Sequence, residues 1–134
     1  MALVDHLGIT VSDLEEGRAR FDPLFGALGF TRSDAEESSA WYREGEPELI
    51  LYGARDTSTA PHVHGRVGWQ HLAFAVGSRD EVERMHALAL EAGWHAVRAP
   101  KEYPRFSGDY YASFVEDADG IRLEFMTNSE GSGA

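Results

Sequence analysis

The sequence predicts an α+β fold built from two copies of one module, and two observations carry that prediction. The stretch DHLGITV, residues 5–11, returns as QHLAFAV, residues 70–76, with the histidine at the same place. Each copy runs into a helix-like segment that closes on a similar phrase, ALGF at 27–30 and EAGW at 91–94, and then into strand-like segments. The halves read as repeats related by a pseudo-twofold axis.

Taken in order, the first module covers residues 1–55. DHLGITV is its opening strand, and SDLEEGRARFDPLFGALGF reads as a helix, with Ser12 and Glu15 as a capping pair and Leu14, Phe21, Leu24 and Leu28 as the apolar face. Pro23 is expected to bend or interrupt it. SAWYREG and PELILYG then form a hairpin across Gly45, Glu46 and Pro47. A polar linker, residues 56–66, lies within ARDTSTAPHVHGRVG. The second module covers residues 67–128. After QHLAFAV, Ser78 and Glu81 repeat the capping pair, Val82, Met85, Ala89 and Ala92 recur at helical spacing, and Gly93 stops the helix. GDYYASFVE and GIRLEFMT form its hairpin, with Asp119 and Gly120 in the turn, and a flexible tail is expected at 129–134.

Composition bounds the function. With 134 residues, 43% hydrophobic and 26% charged, the chain fits one globular domain whose halves are each too small to bury a comfortable core alone. Twelve Lys plus Arg against 23 Asp plus Glu give a net charge of −11, which repels nucleic acid and anionic lipid and argues against both as partners. The absence of cysteine rules out disulfides, thiolate metal sites and a cysteine nucleophile, so any metal ligands are His, Asp or Glu. The first thirty residues hold no apolar run long enough for a signal peptide or a membrane span, and a cytoplasmic location is expected.

The repeated histidine is the strongest pointer to chemistry. Side chains alternate along a strand, so His6, Gly8 and Thr10 share one face while Leu7, Ile9 and Val11 share the other; His71, Ala73 and Ala75 oppose Leu72, Phe74 and Val76 in the same way. The apolar faces cover the helices, which leaves the histidine faces looking into whatever the sheets enclose. Glu124 lies opposite Leu123 and Phe125 in parity and so joins the histidine side. Two imidazoles and a carboxylate form a ligand set for Fe(II), Zn, Mn, Ni or Co that leaves coordination positions open.

The paired βαβββ layout, DHLGITV and QHLAFAV, the ALGF phrase and the ending FVEDADGIRLEF together resemble the vicinal oxygen chelate superfamily, which includes glyoxalase I, extradiol dioxygenases, methylmalonyl-CoA epimerase, fosfomycin-resistance enzymes and bleomycin-binding proteins. The resemblance implies two modules whose cupped mixed sheets surround a central cavity with a divalent metal, His6, His71 and Glu124 on ligand positions, a small-molecule substrate and a homodimer. A fourth carboxylate is missing from the first hairpin. With Pro47 laid opposite Gly120, the counterpart of Glu124 is Leu51; a one-residue shift or a bulge would instead bring Glu48 inward. Ring-cleaving dioxygenase activity is disfavoured, because the position of that group's tyrosine holds Phe114 and RFSGD has no histidine.

The resemblance therefore implies a glyoxalase-like lyase or isomerase that chelates neighbouring oxygens of a small organic substrate, with Glu124, Glu48 or a metal-bound hydroxide as catalytic base. The alternative is a metal-free binder of the bleomycin-resistance type, for which Trp41, Tyr42, Trp69, Trp94 and the tyrosines 103, 110 and 111 offer aromatic surface. His62 and His64 are expected to be solvent-exposed in the linker, His86 and His95 at the surface, and Lys101 and Arg105 as solvated loop charges.

Overall fold

A computed structural model describes residues 3–58 and 60–128; the tail expected at 129–134 lies outside them. The chain divides between Pro61 and His62, inside the predicted linker, into two compact units. The first holds β1 (His6–Val11), α1 (Leu14–Ala27), β2 (Thr31–Asp34), β3 (Ser38–Tyr42) and β4 (Glu48–Gly53). The second repeats the order with β5 (Leu72–Ala75), α2 (Arg79–Glu91), β6 (His95–Glu102), β7 (Tyr111–Glu116) and β8 (Arg122–Thr127). Each unit has one four-stranded mixed sheet, β1-β4-β3-β2 and β5-β8-β7-β6, in which the first strand runs parallel to the last.

Both helices begin on side-chain caps. Ser78 accepts from the Glu81 backbone N–H as expected, but in α1 the cap is Asp13, which accepts from Glu16, one residue later than the Ser12–Glu15 pair the pattern suggests. Asp13 satisfies an orphan donor as Ser12 would have, and α1 starts one residue later. Pro23 lies inside α1 without ending it: the helix continues to Ala27. Gly93, at φ +102°, follows the last turn of α2 in the left-handed conformation that glycine adopts freely.

In the first unit Val11, Phe21, Leu24, Phe25, Trp41, Leu49 and Leu51 form the core between α1 and the sheet. Gly17 belongs to it because a Cβ there would stand 2.8 Å from the Val11 side chain and 3.1 Å from Leu51. Arg18 ties the helix to the outer strands, donating to the Ser39 hydroxyl at 2.6 Å and to the Ala35 carbonyl at 3.0 Å. Asp34 accepts from Arg32 and Ser39, and those bonds, Arg32's first, hold its carboxyl down to about 2. The second unit buries Val82, Met85, Ala89, Trp94, Val115, Leu123 and Phe125 in the corresponding layer. His86 is buried with them, correcting its expected surface placement: it sits on the same helix face as Val82 and Ala89.

The pairing registers define which residues are equivalent. In the second unit Ala73 pairs with Glu124 and Phe74 with Phe125. In the first, Gly8 pairs with Ile50 and Ile9 with Leu51. Since Gly8 matches Ala73 in the repeat, the counterpart of Glu124 is Ile50, and Leu51 matches Phe125. The alignment through Pro47 and Gly120 is thus one residue out: the two hairpin turns are equally long, and the residue that matches Gly120 is Glu46 rather than Pro47. Leu51 is 1% exposed and faces α1. No helix among the described residues is long and apolar enough to cross a membrane.

Candidate functional site

The sheet face turned away from α2 carries the densest polar chemistry of the second unit. Glu124 projects from β8 on this face beside its β7 partner Phe114, while its neighbours Leu123 and Phe125 point into the core. Its residue exposure is only 2%, an expensive place for a carboxylate unless both oxygens are bonded. They are. Oε1 lies 2.8 Å from His71 Nε2, and Oε2 accepts a hydrogen bond from the Tyr110 hydroxyl. Burial first, and then the bond to Glu124, push the Tyr110 phenol well above its ordinary value, so it stays a donor.

His71 is fixed from its other side. Its Nδ1 stands 2.5 Å from Oε1 of Gln70, the residue immediately before it. With Nδ1 engaged by the Gln70 side-chain amide, Nε2 is the nitrogen presented to Glu124. A separation of 2.8 Å suits either an Nε2–H donated to the carboxylate or a metal ion held by both groups. The first unit repeats half of the device. Nδ1 of His6 is 2.8 Å from the carboxylate of Asp5, again the preceding residue, which leaves Nε2 outward on a side chain 56% exposed. Anchoring one imidazole nitrogen so as to present the other is the usual support of a metal-ligating histidine.

Around the His71–Glu124 pair stands a wall of rings contributed by β7 and by the segment between β6 and β7. Phe114 meets His71 edge-on at 5.5 Å between centroids, Tyr103 meets Phe114 at 5.9 Å, and Phe106 packs against Tyr103 at 5.5 Å and Tyr110 at 5.2 Å. Tyr103 is buried and its hydroxyl has no hydrogen-bond partner. Lys101 and Arg105 are exposed, as expected, but each cation lies 5.1 Å from a ring centre of this wall, over Tyr103 and Phe106. Tyr111 faces the other way. Its hydroxyl donates to Glu83 on α2 at 2.7 Å, and burial followed by that bond pushes it up to about 12.

The remaining candidates fall as follows. Glu48 is the direct register partner of His6 and shares its sheet face in the first unit, so the bulge invoked to turn it inward is unnecessary. The same face carries a cavity of about 440 Å³ lined by Thr10, Glu37, Ser38, Tyr52, Gly53 and Arg55. Trp41 is fully buried and donates to Asp22 at 2.9 Å, and Trp94 is 2% exposed, so neither offers a surface for stacking; Tyr42 and Trp69 are exposed. His95 is exposed at the start of β6. His62 and His64 are half-buried with Nε2 unpartnered, rather than open to solvent, because their loop lies against the β7–β8 turn: a Cβ on Gly120 would come within 1.8 Å of the His62 carbonyl oxygen.

Among the described residues, no three or more His, Asp or Glu side chains are gathered into a cluster ready to hold a metal ion. The His71–Glu124 pair nonetheless fits one. Nitrogen and oxygen ligands at about 2.1 Å from a first-row ion and at right angles lie roughly 3 Å apart, and the observed 2.8 Å is close to that. Sequence reasoning reaches His71 and Glu124 but misses Asp5, Gln70 and the bond from Tyr110. The first two leave a signal, since both histidines follow a residue whose side chain ends in an accepting oxygen.

Comparison with known proteins gives a consistent result. Residues 3–125 match the Glyoxalase/Bleomycin resistance protein/Dioxygenase superfamily. An uncharacterized Bacillus subtilis protein, YqjT, is 29% identical over 126 residues, covering 92% of this chain and 98% of the relative. A candidate glyoxalase from Bacillus halodurans superposes with a TM-score of 0.78 at 26% identity, covering 95% of this chain and 96% of that one. The genomically encoded fosfomycin resistance protein FosX of Listeria monocytogenes gives a TM-score of 0.70 at 14% identity, with 100% and 99% covered, which is a likeness of fold alone.

Proposed function

Because the chain belongs to the Glyoxalase/Bleomycin resistance protein/Dioxygenase superfamily, we propose that it is a glyoxalase-like metalloprotein of the lyase or isomerase type, holding a divalent ion through His71 and Glu124 with His6 as third ligand. The observation that carries this reading is the convergence of His71 Nε2 and Glu124 Oε1 at 2.8 Å, with the remote nitrogen already anchored by Gln70. When bound, the ion would hold neighbouring oxygens of a small organic substrate and stabilise negative charge that develops on them. The protein's own residues do the rest. Gln70 and Asp5 orient the imidazoles, and the rings of Phe114 and Tyr103 exclude water beside the ligand pair.

Between the two carboxylates considered as base, the reading favours Glu48. Both oxygens of Glu124 are engaged, whereas Glu48 is half-buried and has neither of the two bonds that occupy Glu124. A homodimer in the cytoplasm completes the proposal, and light scattering decides the oligomeric state. The primary test is elemental analysis of protein purified without a nickel column and then incubated with Fe(II), Zn, Mn, Ni or Co. The expected result is about one ion per chain, lost in His71→Ala; a wild type that binds none of these ions overturns the proposal.

A second reading is favoured by the ring wall: a metal-free protein that sequesters an aromatic molecule against Phe114, Tyr103 and Phe106. Binding of a planar aromatic ligand that is unchanged by chelator and by His71→Ala, but lost in Phe114→Ala, would establish it in place of the first.

A further inference from the structure

Glu124 would serve a metal unequally with its two oxygens. Oε1 faces His71 Nε2 at 2.8 Å, while Oε2 is taken by the Tyr110 hydroxyl on the side away from the imidazole partner. The Tyr110 ring is itself held in place, packed edge-on against Phe106 at 5.2 Å and Tyr103 at 6.4 Å, and the backbone around it is closed by the hydrogen bond from the Tyr103 N–H to the Tyr110 carbonyl at 2.9 Å. A carboxylate 2% exposed has no water to replace a lost donor, so the phenol fixes its orientation.

We propose that Tyr110 is a positioning residue that reserves Oε2 and leaves Glu124 to bind a metal ion through Oε1 alone. The inference rests on the metal reading above and extends it, because a carboxylate free to use both oxygens would fill a position that a chelating substrate needs. Nothing in the sequence marks this role: Tyr110 and Tyr111 are adjacent and chemically identical, and only the path by which the chain enters β7 sends one hydroxyl to Glu124 and the other to Glu83.

The test compares Co(II) complexes of the wild type, Tyr110→Phe and Tyr111→Phe by visible absorption and by titration with a hydroxamate as chelating probe. Tyr110→Phe is expected to change the Co(II) spectrum toward higher coordination and to weaken hydroxamate binding at least tenfold, while Tyr111→Phe, which also removes a hydrogen-bonded phenol hydroxyl, leaves both unchanged. An effect shared equally by the two variants is a general structural one and overturns the assignment, as does a Tyr110→Phe protein indistinguishable from wild type. If Tyr110→Phe does not fold, X-ray absorption on Co(II)-loaded wild type decides: one-oxygen carboxylate coordination supports the proposal and two-oxygen coordination overturns it. A wild type that takes up no Co(II) or any other of the ions overturns this inference together with the metal reading. Uptake with no difference at Tyr110 overturns this one alone.

Discussion

At the scale of single residues, histidines are the informative group, since the chain has six and the structure gives them different tasks. His71 and His6 are held at Nδ1 by the side chain before them, and His95 meets solvent. His86 is buried on the core face of α2 with Nδ1 unpartnered, and burial lowers its proton affinity below the ordinary histidine value. The folded chain therefore keeps His86 neutral at a pH where the unfolded chain protonates it. Stability from this group is intact above the unfolded value of about 6.5 and declines as pH falls through it. Chemical denaturation at pH 7.5 and 5.5 should show this loss, and His86→Gln should remove part of it. An equal decline in the variant would assign the loss to other groups. The sequence does not reveal the burial, because a histidine among Arg84, Met85 and Leu88 reads as readily on the outer face of a helix as on the inner one.

At the scale of elements, the repeat is legible because it is written in strand alternation and in caps, both local properties. Ser78 and the stop at Gly93 fall where the pattern puts them for that reason. Register does not, since Pro47 and Gly120 are both turn residues and yet not equivalent, and a slip of one residue exchanges the two faces of a strand. Leu51 and Ile50 show the consequence. Leu51 lies under α1, so Leu51→Glu would bury an unpaired carboxylate and cost about 3–5 kcal/mol, read as a fall in the denaturation midpoint. Ile50 is half-buried on the face shared with His6 and Glu48, and Ile50→Glu should cost about 1 kcal/mol, mostly for apolar surface no longer removed from water. If Ile50→Glu unfolds the protein and Leu51→Glu does not, the register is wrong. The site is half legible on the same grounds: alternation places His71 and Glu124 on one face, whereas the Tyr110 hydrogen bond depends on the path of the chain between β6 and β7, which no periodicity encodes.

At the scale of the whole molecule, the two units carry separate cores divided between Pro61 and His62. Units of this size bury only about 60% of the surface their unfolded chains expose. Residues 1–61 and 62–134 expressed separately are therefore expected to melt without a sharp transition, whereas the full chain melts cooperatively. A sharp calorimetric transition in either fragment would show that one half is self-sufficient. Family and fold follow from the sequence at this scale because a duplicated pattern spans nearly the whole chain; reaction and metal do not, because both depend on the identity of a few atoms on one sheet face.

The pairing of first strand with last has a consequence for how the protein is made. β1 leaves the ribosome before α1, β2 and β3, but its neighbour among the described strands is β4, and β5 likewise waits for β8. At synthesis rates of about 5–20 residues per second, each opening strand spends on the order of seconds with Leu7, Ile9 and Val11, or Leu72 and Phe74, covered by nothing more than its own helix. A transcript cut short before β8 would yield a second half whose opening strand has no neighbour and whose hairpin has only one side. Quality control by the cell's proteases would thus read out, in β8 alone, whether the second unit had been made whole.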